Sequence, residues 1–100
     1  MIISEKAAPL TEKQFQQQVV ELAKILGWRV YHPFLSKWSE KGFPDLTMVR
    51  SYRLLFVELK AEKGKVSAPQ AEWHEGLSAT CAEVYVWRPS DWDMIQATMR

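Results

Sequence analysis

The spacing of apolar and polar residues along the chain predicts helices and strands in a definite order. Residues 12–26 repeat apolar side chains at helical spacing, and Thr11 and Gln14 fit a capping box at the start of that helix. Two short apolar runs at 46–49 and 54–57 flank a polar segment, which is the pattern of an antiparallel hairpin. The full order is a helix at 11–26, a strand at 28–32, a hairpin at 45–60, a helix starting at Ser67, a strand at 83–88 and a short helix after Ser90. This order predicts an α/β fold with a mixed central β-sheet flanked by helices.

The length of the chain indicates how many domains it forms. One hundred residues suffice for one compact domain with its own core. Residues 1–10 have no periodic pattern and are expected to form a lead-in, so the predicted single domain spans residues 11–100. Residues 33–43, which include Pro33 and Gly42, are expected to form a loop.

The predicted hairpin brings charged side chains together at its open end. If Ser51 and Tyr52 form a two-residue tip, Asp45 falls opposite Glu58. Side chains alternate across a strand, so Glu58 and Lys60 share one face of the sheet. Two carboxylates and an ammonium group then converge beside a backbone carbonyl, and hard divalent cations such as Mg²⁺ prefer such oxygen-rich sites. The arrangement suggests phosphodiester hydrolysis.

Composition narrows the class of protein. No apolar stretch reaches the length of a membrane span, and the N-terminus lacks the regions of a signal peptide, which favours a cytoplasmic location. Cys81 is a lone cysteine, which excludes an internal disulfide and a thiolate metal site. His32 and His74 are far apart and lack a metal-ligand spacing, which argues against a histidine-based catalyst or zinc site.

Charge is distributed unevenly along the chain. The net charge is only +1, but residues 29–65 hold eight Lys or Arg against four Asp or Glu, a surplus of +4. The rest of the chain holds five basic against eight acidic residues, a balance of −3. The positive surplus surrounds the predicted site, as expected if an anionic polymer approaches it.

Four segments of the chain together resemble a known family. They are Gly42-Phe43-Pro44-Asp45, Val57-Glu58-Leu59-Lys60, the pair Ser67 and Gln70, and Val84-Tyr85-Val86-Trp87-Arg88-Pro89. In this order, and with a helix before them, they resemble the virus-type replication-repair nuclease (VRR-NUC) domain of the PD-(D/E)xK nuclease superfamily. The resemblance runs from about Thr11 to Asp93. It implies a restriction-endonuclease-like core for the predicted domain.

The resemblance also implies roles for individual residues. Asp45 and Glu58 would be metal ligands, with the carbonyl of Leu59 as a backbone ligand. Lys60 would orient or activate the attacking water, or stabilise the charged phosphorane. These residues match the catalytic positions of the family without a departure.

Two further positions in the site follow from the same resemblance. Gln70 matches an amide that comes after the lysine in this family, and it also suits a helix cap. An acid from the first helix commonly completes such sites. We expect Glu12 to be this acid because helical geometry places it inward with Gln16, whereas the rival Glu21 lies almost opposite.

For function, the resemblance implies a divalent-metal-dependent, structure-specific endonuclease that cleaves branched DNA, with four-way (Holliday) junctions as the expected substrate. The cofactor would be Mg²⁺ or Mn²⁺, as one ion or two, without an organic cofactor. Family members that consist of a bare domain act as small homodimers, so a homodimer is expected. A role in DNA replication or repair and a phage or prophage origin are compatible with this assignment.

Two other functions remain open. One is a non-catalytic DNA-binding or interaction module that keeps the nuclease fold, and the other is a flap- or sequence-specific endonuclease. The candidate DNA contacts are residues that offer a cation, an aromatic ring or an imidazole: His32, Lys37, Trp38, Lys41, Lys63 and Lys65. Metal dependence separates a nuclease from a binding module, because the module would bind DNA with or without a divalent cation.

Overall fold

The structure is a computed structural model that describes residues 10–33 and 40–100. Within these residues the fold contains three α-helices and four strands. In chain order the elements are α1 (Glu12–Ile25), β1 (Arg29–Tyr31), β2 (Leu46–Arg50), β3 (Arg53–Leu59), α2 (Ala68–Ser78), β4 (Glu83–Trp87) and α3 (Trp92–Met99). A short 3₁₀ helix, Pro89–Asp91, precedes α3. Most of the predicted lead-in and the middle of the predicted loop, residues 1–9 and 34–39, lie outside the described residues.

The four strands form one mixed sheet in the order β1-β2-β3-β4. β2 pairs antiparallel with both β1 and β3, whereas β4 runs parallel to β3 after a crossover through α2. The predicted α/β domain with a mixed central sheet is therefore confirmed. The first and last strands are shorter than predicted, Arg29–Tyr31 rather than 28–32 and Glu83–Trp87 rather than 83–88.

One face of the sheet forms the hydrophobic core against α1 and α3. Alternate residues of β2 and β3 point into it and are fully buried, together with side chains from both helices: Phe15, Val19, Ala23, Leu46, Met48, Leu55, Val57, Leu59, Ile95 and Met99. Trp28 and Trp87 complete the same cluster. The predicted apolar stripe of α1 is confirmed, since Leu22 and Leu26 also pack against this core.

The opposite face of the sheet is covered only in part. Phe43 links the two layers there, because its ring meets Phe56 of β3 and Trp73 of α2 edge-on at 5.8 and 5.0 Å between centroids. α2 has no fully buried residue, and Val49 and Leu54 on this face are exposed. Helices thus flank the sheet as predicted, but the second face is left uncovered near the hairpin turn. Among the described residues, no helix is long and apolar enough to cross a membrane.

Candidate active site

The register of the hairpin sets which residues meet at its open end. Arg50 pairs with Arg53 across the turn, and Leu46 pairs with Val57, so continuing the register by one residue brings Asp45 opposite Glu58. The tip is the predicted two-residue turn, and Ser51 adopts a left-handed conformation there with φ of 56°. The two acids and Phe56 lie on the face opposite the core, where α2 packs.

Three residues meet around Glu58, which is only 6% exposed. Glu58 Oε2 accepts a hydrogen bond from Gln70 Nε2 at 2.6 Å and lies 3.7 Å from Lys60 Nζ. Asp45 Oδ2 accepts from the backbone N–H of Leu59 at 2.8 Å. Glu58 Oε1 is buried without a hydrogen-bond partner. The structure thus brings Asp45, Glu58, Lys60 and Gln70 together, with one carboxylate oxygen unsatisfied.

The surroundings of the two acids raise the pKa of both carboxyls. Burial is the main cause that raises the pKa of Glu58 to about 8, and the negative charge of Asp45 adds to the rise while Lys60 opposes it. Burial also raises the pKa of Asp45, although the hydrogen bonds from Leu59 and Glu58 and the charge of Lys60 work in the other direction. A buried and a half-buried carboxyl with raised pKa values, beside a cation, are typical of a functional site.

A tight contact with α2 positions the segment that carries Asp45. Gly42 has a φ of 86°, in the left-handed region that side chains disfavour. A Cβ atom at this position would lie 2.5 Å from the carbonyl carbon of Pro69, so the chain passes directly against the first turn of α2. Phe43 then packs against Trp73, and Pro44 is buried. These contacts fix the approach of the chain to Asp45.

The segment after Lys60 is fixed by contacts with the connection between β4 and α3. The N–H of Lys60 donates to the carbonyl of Trp87 at 3.0 Å and extends the pairing of β3 with β4. Arg88 Nη2 donates to the carbonyl of Gly64 at 2.6 Å. Both carboxylate oxygens of Glu62 accept hydrogen bonds from Ser90, at 2.9 and 2.6 Å. The path of this loop therefore does not depend on its exposed lysines.

Glu12, which was predicted to lie inward on α1 with Gln16, is not buried. Glu12 is exposed, because it lies in the first turn and the buried stripe of the helix begins only at Phe15. Its negative charge still contributes to the raised pKa of Glu58. The rival Glu21 is exposed as well and accepts a hydrogen bond from Gln17. Among residues 10–33 and 40–100, no group of three His, Cys, Asp or Glu side chains is close enough to hold a metal ion.

The predicted DNA contacts fall in two places beside the acidic pair. His32 and Lys41 line a cavity of about 350 Å³ that Asp45 also borders, together with Gln16 of α1. Lys63 and Lys65 are exposed on the loop between β3 and α2. The other two predicted contacts, Lys37 and Trp38, lie outside the described residues.

The chain is similar in structure to solved proteins. No family model and no curated protein sequence matches the chain. A solved structure described as a VRR_NUC domain protein superimposes with a TM-score of 0.70 at 22% identity, covering 91% of this chain and 87% of that chain. A second, described as a VRR_NUC domain, also has a TM-score of 0.70, at 26% identity over 88% of this chain and 92% of that chain. The chain has the VRR-NUC fold. The family resemblance is thus confirmed, and the fold is of nuclease type.

Some features of this candidate site were not predicted from the sequence. The close approach of Gly42 to Pro69 joins segments far apart in sequence, and only its position in a loop hinted at a special backbone. Gln16 drew attention as a polar residue on an apolar stripe, but the cavity that it lines was not foreseen. The family resemblance pointed to Gln70, but its hydrogen bond to Glu58 was not predicted, because spacing along a chain does not fix the direction of a side-chain amide.

Proposed function

We propose that this protein is a divalent-metal-dependent endonuclease that hydrolyses phosphodiester bonds in branched DNA, with four-way junctions as its preferred substrate. The observation that carries the proposal is the pair of Asp45 and Glu58, two carboxyls with raised pKa values at one end of a hairpin in a VRR-NUC fold. A bound cation would remove the electrostatic penalty that keeps these groups from ionising.

The donor set suits Mg²⁺ or Mn²⁺. Magnesium usually takes one or two carboxylates from the protein and keeps several waters, so a site with two acids does not need a third. Asp45 and Glu58 would supply these oxygens, and the unpartnered Oε1 of Glu58 is available for a ligand bond. The carbonyl of Leu59 is the proposed backbone ligand. Glu12 would act beyond direct contact, through its charge or an outer-sphere water.

Each side chain has a distinct part in the proposed reaction. A divalent cation bound here would polarise the phosphate and lower the pKa of a water. Lys60 lies beside Glu58 and would stabilise the negative charge that develops on the phosphate oxygens, or orient the attacking water. Gln70 holds Glu58 in place through its 2.6 Å hydrogen bond. Asp45 is held in turn by the N–H of Leu59.

The surroundings of the acidic pair suit a polyanion. His32 and Lys41 border the cavity next to Asp45, and Lys63 and Lys65 are exposed on the loop that follows Lys60. Their positive charges would contact phosphates on either side of the cleaved bond. Two copies of the chain would give a symmetric DNA footprint and a second active site, which is why we propose a homodimer.

A cleavage assay tests the proposal. Purified protein is incubated with labelled linear, flapped and four-way DNAs, with Mg²⁺, with Mn²⁺ or with a chelator. We expect symmetric cuts in the four-way substrate that require the metal, and no product from the folded Asp45→Ala and Glu58→Ala variants. Full activity of purified Asp45→Ala would refute the assignment of the site.

One observation favours a second candidate, the non-catalytic DNA-binding module. Three lysines near the acidic pair are exposed. Lys41, Lys63 and Lys65 would serve such a module equally well. Binding to branched DNA that is unchanged by a chelator, with no cleavage of any substrate, would support this alternative.

A further inference from the structure

We propose that the capping box of α2 is a positioning device for the active site. In this proposal Ser67 holds the side-chain amide of Gln70 so that its NH₂ group, and not its oxygen, faces Glu58. The inference rests on the proposed function of the acidic pair. It makes Ser67 a positioning residue, which acts on the reaction only through Gln70.

Gln70 uses the two ends of its amide for different partners. Its Oε1 accepts from the backbone N–H of Ser67 at 2.8 Å, and its Nε2 donates to Glu58 Oε2 at 2.6 Å. Because a backbone N–H needs an acceptor, the oxygen turns toward Ser67 and the NH₂ group is left for Glu58. The Ser67 hydroxyl accepts from the N–H of Gln70 at 3.3 Å and closes the box.

The orientation of this amide decides what Glu58 offers to a cation. With NH₂ toward the carboxylate, Oε2 receives a donor and Oε1 stays without a partner. With the amide reversed, its oxygen would face the ionised carboxylate that binds a cation, and the carboxylate would lose its fixed rotamer. Hydrogen bonds that orient a ligand in this way typically contribute 10–100-fold to metal affinity or activity.

The first turn of α2 is held rigidly enough for this orientation to persist. Gly42 touches Pro69, one residue before Gln70, at a distance that leaves no room for a Cβ atom. Trp73, one turn further along, packs edge-on against Phe43. The segment that carries Asp45 and the turn that carries Gln70 therefore form one packed unit.

The other capping box of the protein serves as an internal comparison. In α1, the N–H of Thr11 donates to Gln14 Oε1 at 3.0 Å and the N–H of Gln14 donates to Thr11 Oγ1 at 3.1 Å. Gln14 is exposed, and within the described residues its side chain makes no hydrogen bond beyond the box. The box of α2 differs because the half-buried Gln70 has the additional contact with Glu58.

An NMR experiment tests the proposal directly. The side-chain amide signals of Gln70 are recorded in ¹⁵N-labelled, metal-free protein and identified by their loss in Gln70→Ala. Ser67→Ala removes the hydroxyl of the cap, and Ser67→Pro removes the N–H, at a φ of −77° that proline tolerates. Ser67→Thr keeps both groups. The matched control is Thr80→Ala, which removes side-chain hydrogen bonds to Leu77 and Ala82 at the other end of α2.

We expect the two amide proton signals of Gln70 to move toward the shifts of an exposed glutamine in Ser67→Pro and, to a smaller extent, in Ser67→Ala, which keeps the backbone N–H. The affinity for Mg²⁺, measured by calorimetry, should fall about 10-fold in the same variants. Ser67→Thr should restore both quantities, and Thr80→Ala should leave both unchanged although it loosens the helix. Unchanged amide signals in Ser67→Pro, or an equal loss of Mg²⁺ affinity in Thr80→Ala, would overturn the proposal. If the wild-type protein cleaves no DNA, the proposed function fails, while the amide signals still decide whether Ser67 orients Gln70.

Discussion

The two ends of the hairpin formed by β2 and β3 both place like charges opposite each other. Asp45 faces Glu58 at the open end, and Arg50 pairs with Arg53 beside the turn. Like charges directly opposite in a sheet destabilise it unless other groups compensate them. The same two strands therefore place like charges opposite each other at both ends, and the neighbouring residues compensate them differently.

At the turn, the two arginines are surrounded by acceptors. Arg53 makes two hydrogen bonds to the carboxylate of Glu83, at 2.7 and 2.8 Å, and the bond from Arg53 is the main cause that lowers the pKa of Glu83. Arg50 Nη1 donates to the carbonyls of Leu26 and Met99, both at 2.9 Å. Both guanidinium groups lie over the ring of Trp28, which adds cation–π attraction.

At the open end, compensation is incomplete. Lys60 and Gln70 face Glu58 on one oxygen, while the other oxygen is buried alone and the pKa is raised to about 8. The charges at the turn therefore contribute to stability, whereas the acids at the open end ionise at an electrostatic cost that a bound ligand can reduce. Such local departures from good design are typical of functional sites.

The largest effect is expected from a substitution that removes the charge of Glu58 at the open end. Glu58→Gln should abolish metal-dependent cleavage, a loss on the order of 10⁴-fold or more, as for a central catalytic group. The same change should stabilise the metal-free protein at neutral and alkaline pH, because it removes a carboxyl that ionises poorly when buried. Cleavage rates and urea denaturation in a chelator measure the two effects. If Glu58→Gln is less stable than the wild-type protein and still cleaves DNA, the open end does not reduce stability in favour of function.

The packing that supports the open end is tested by Gly42→Ala. The new Cβ atom would clash with the backbone of Pro69 and would strain a residue with φ of 86°, so we expect a loss of about 2–4 kcal/mol in stability. Because the contact aligns α2 with Asp45, cleavage should fall as well. Urea denaturation and the rate of four-way junction cleavage measure the effects. The control is Gly76→Ala on the open side of α2, where a Cβ atom meets nothing within 4 Å. Equal stability and equal cleavage rates in Gly42→Ala and Gly76→Ala would show that the contact of Gly42 with Pro69 does not support the site.

The turn end should respond in the opposite way. Glu83→Gln removes the charge that neutralises Arg53, from a pair whose side chains are each 32% exposed, and should lower stability by about 1–3 kcal/mol. Cleavage should remain at the wild-type level, since the pair lies at the far end of the hairpin. Glu75→Gln, at an exposed position of α2, controls for the loss of one acid. Loss of cleavage in folded Glu83→Gln would show that the two ends are not independent.

The pH dependence of stability has a definite sign. The carboxyl of Glu58 ionises near its ordinary value of 4.5 in the unfolded chain but keeps its proton to about pH 8 in the folded protein. The folded state thus binds more protons in this window, so stability without metal should fall as the pH rises from about 5 to about 8. The raised pKa of Asp45 acts in the same direction. Urea midpoints measured in a chelator check this, and Glu58→Gln should flatten the curve. A rise in stability over this window would contradict the assignment.

Local signals were sufficient to predict most of the fold. The capping boxes at Thr11 and Ser67 fixed where two helices begin, and both are present in the structure. Counting from a two-residue tip gave the hairpin register that brings Asp45 opposite Glu58. These features depend on neighbours within a few residues, for which spacing in the chain is a reliable guide.

Features that depend on distant parts of the chain were not predictable. The partners of Arg50 are carbonyls of Leu26 and Met99, which no local pattern connects with it. The exposure of Glu12 was not predictable because helical periodicity gives a face but not the point where the core begins. The partial cover of the second sheet face follows from how α2 docks through Trp73, which is a matter of tertiary packing.

The central claim is that Asp45 and Glu58 hold a divalent cation and that this cation replaces a proton. Titration calorimetry with Mg²⁺ or Mn²⁺ at about pH 7, in two buffers with different ionisation enthalpies, counts the protons released on binding. We expect about one proton per bound ion, since Glu58 is protonated below its pKa of about 8, and no binding to Glu58→Gln. Binding of equal strength to the wild-type protein and to Glu58→Gln, without proton release, would contradict the account.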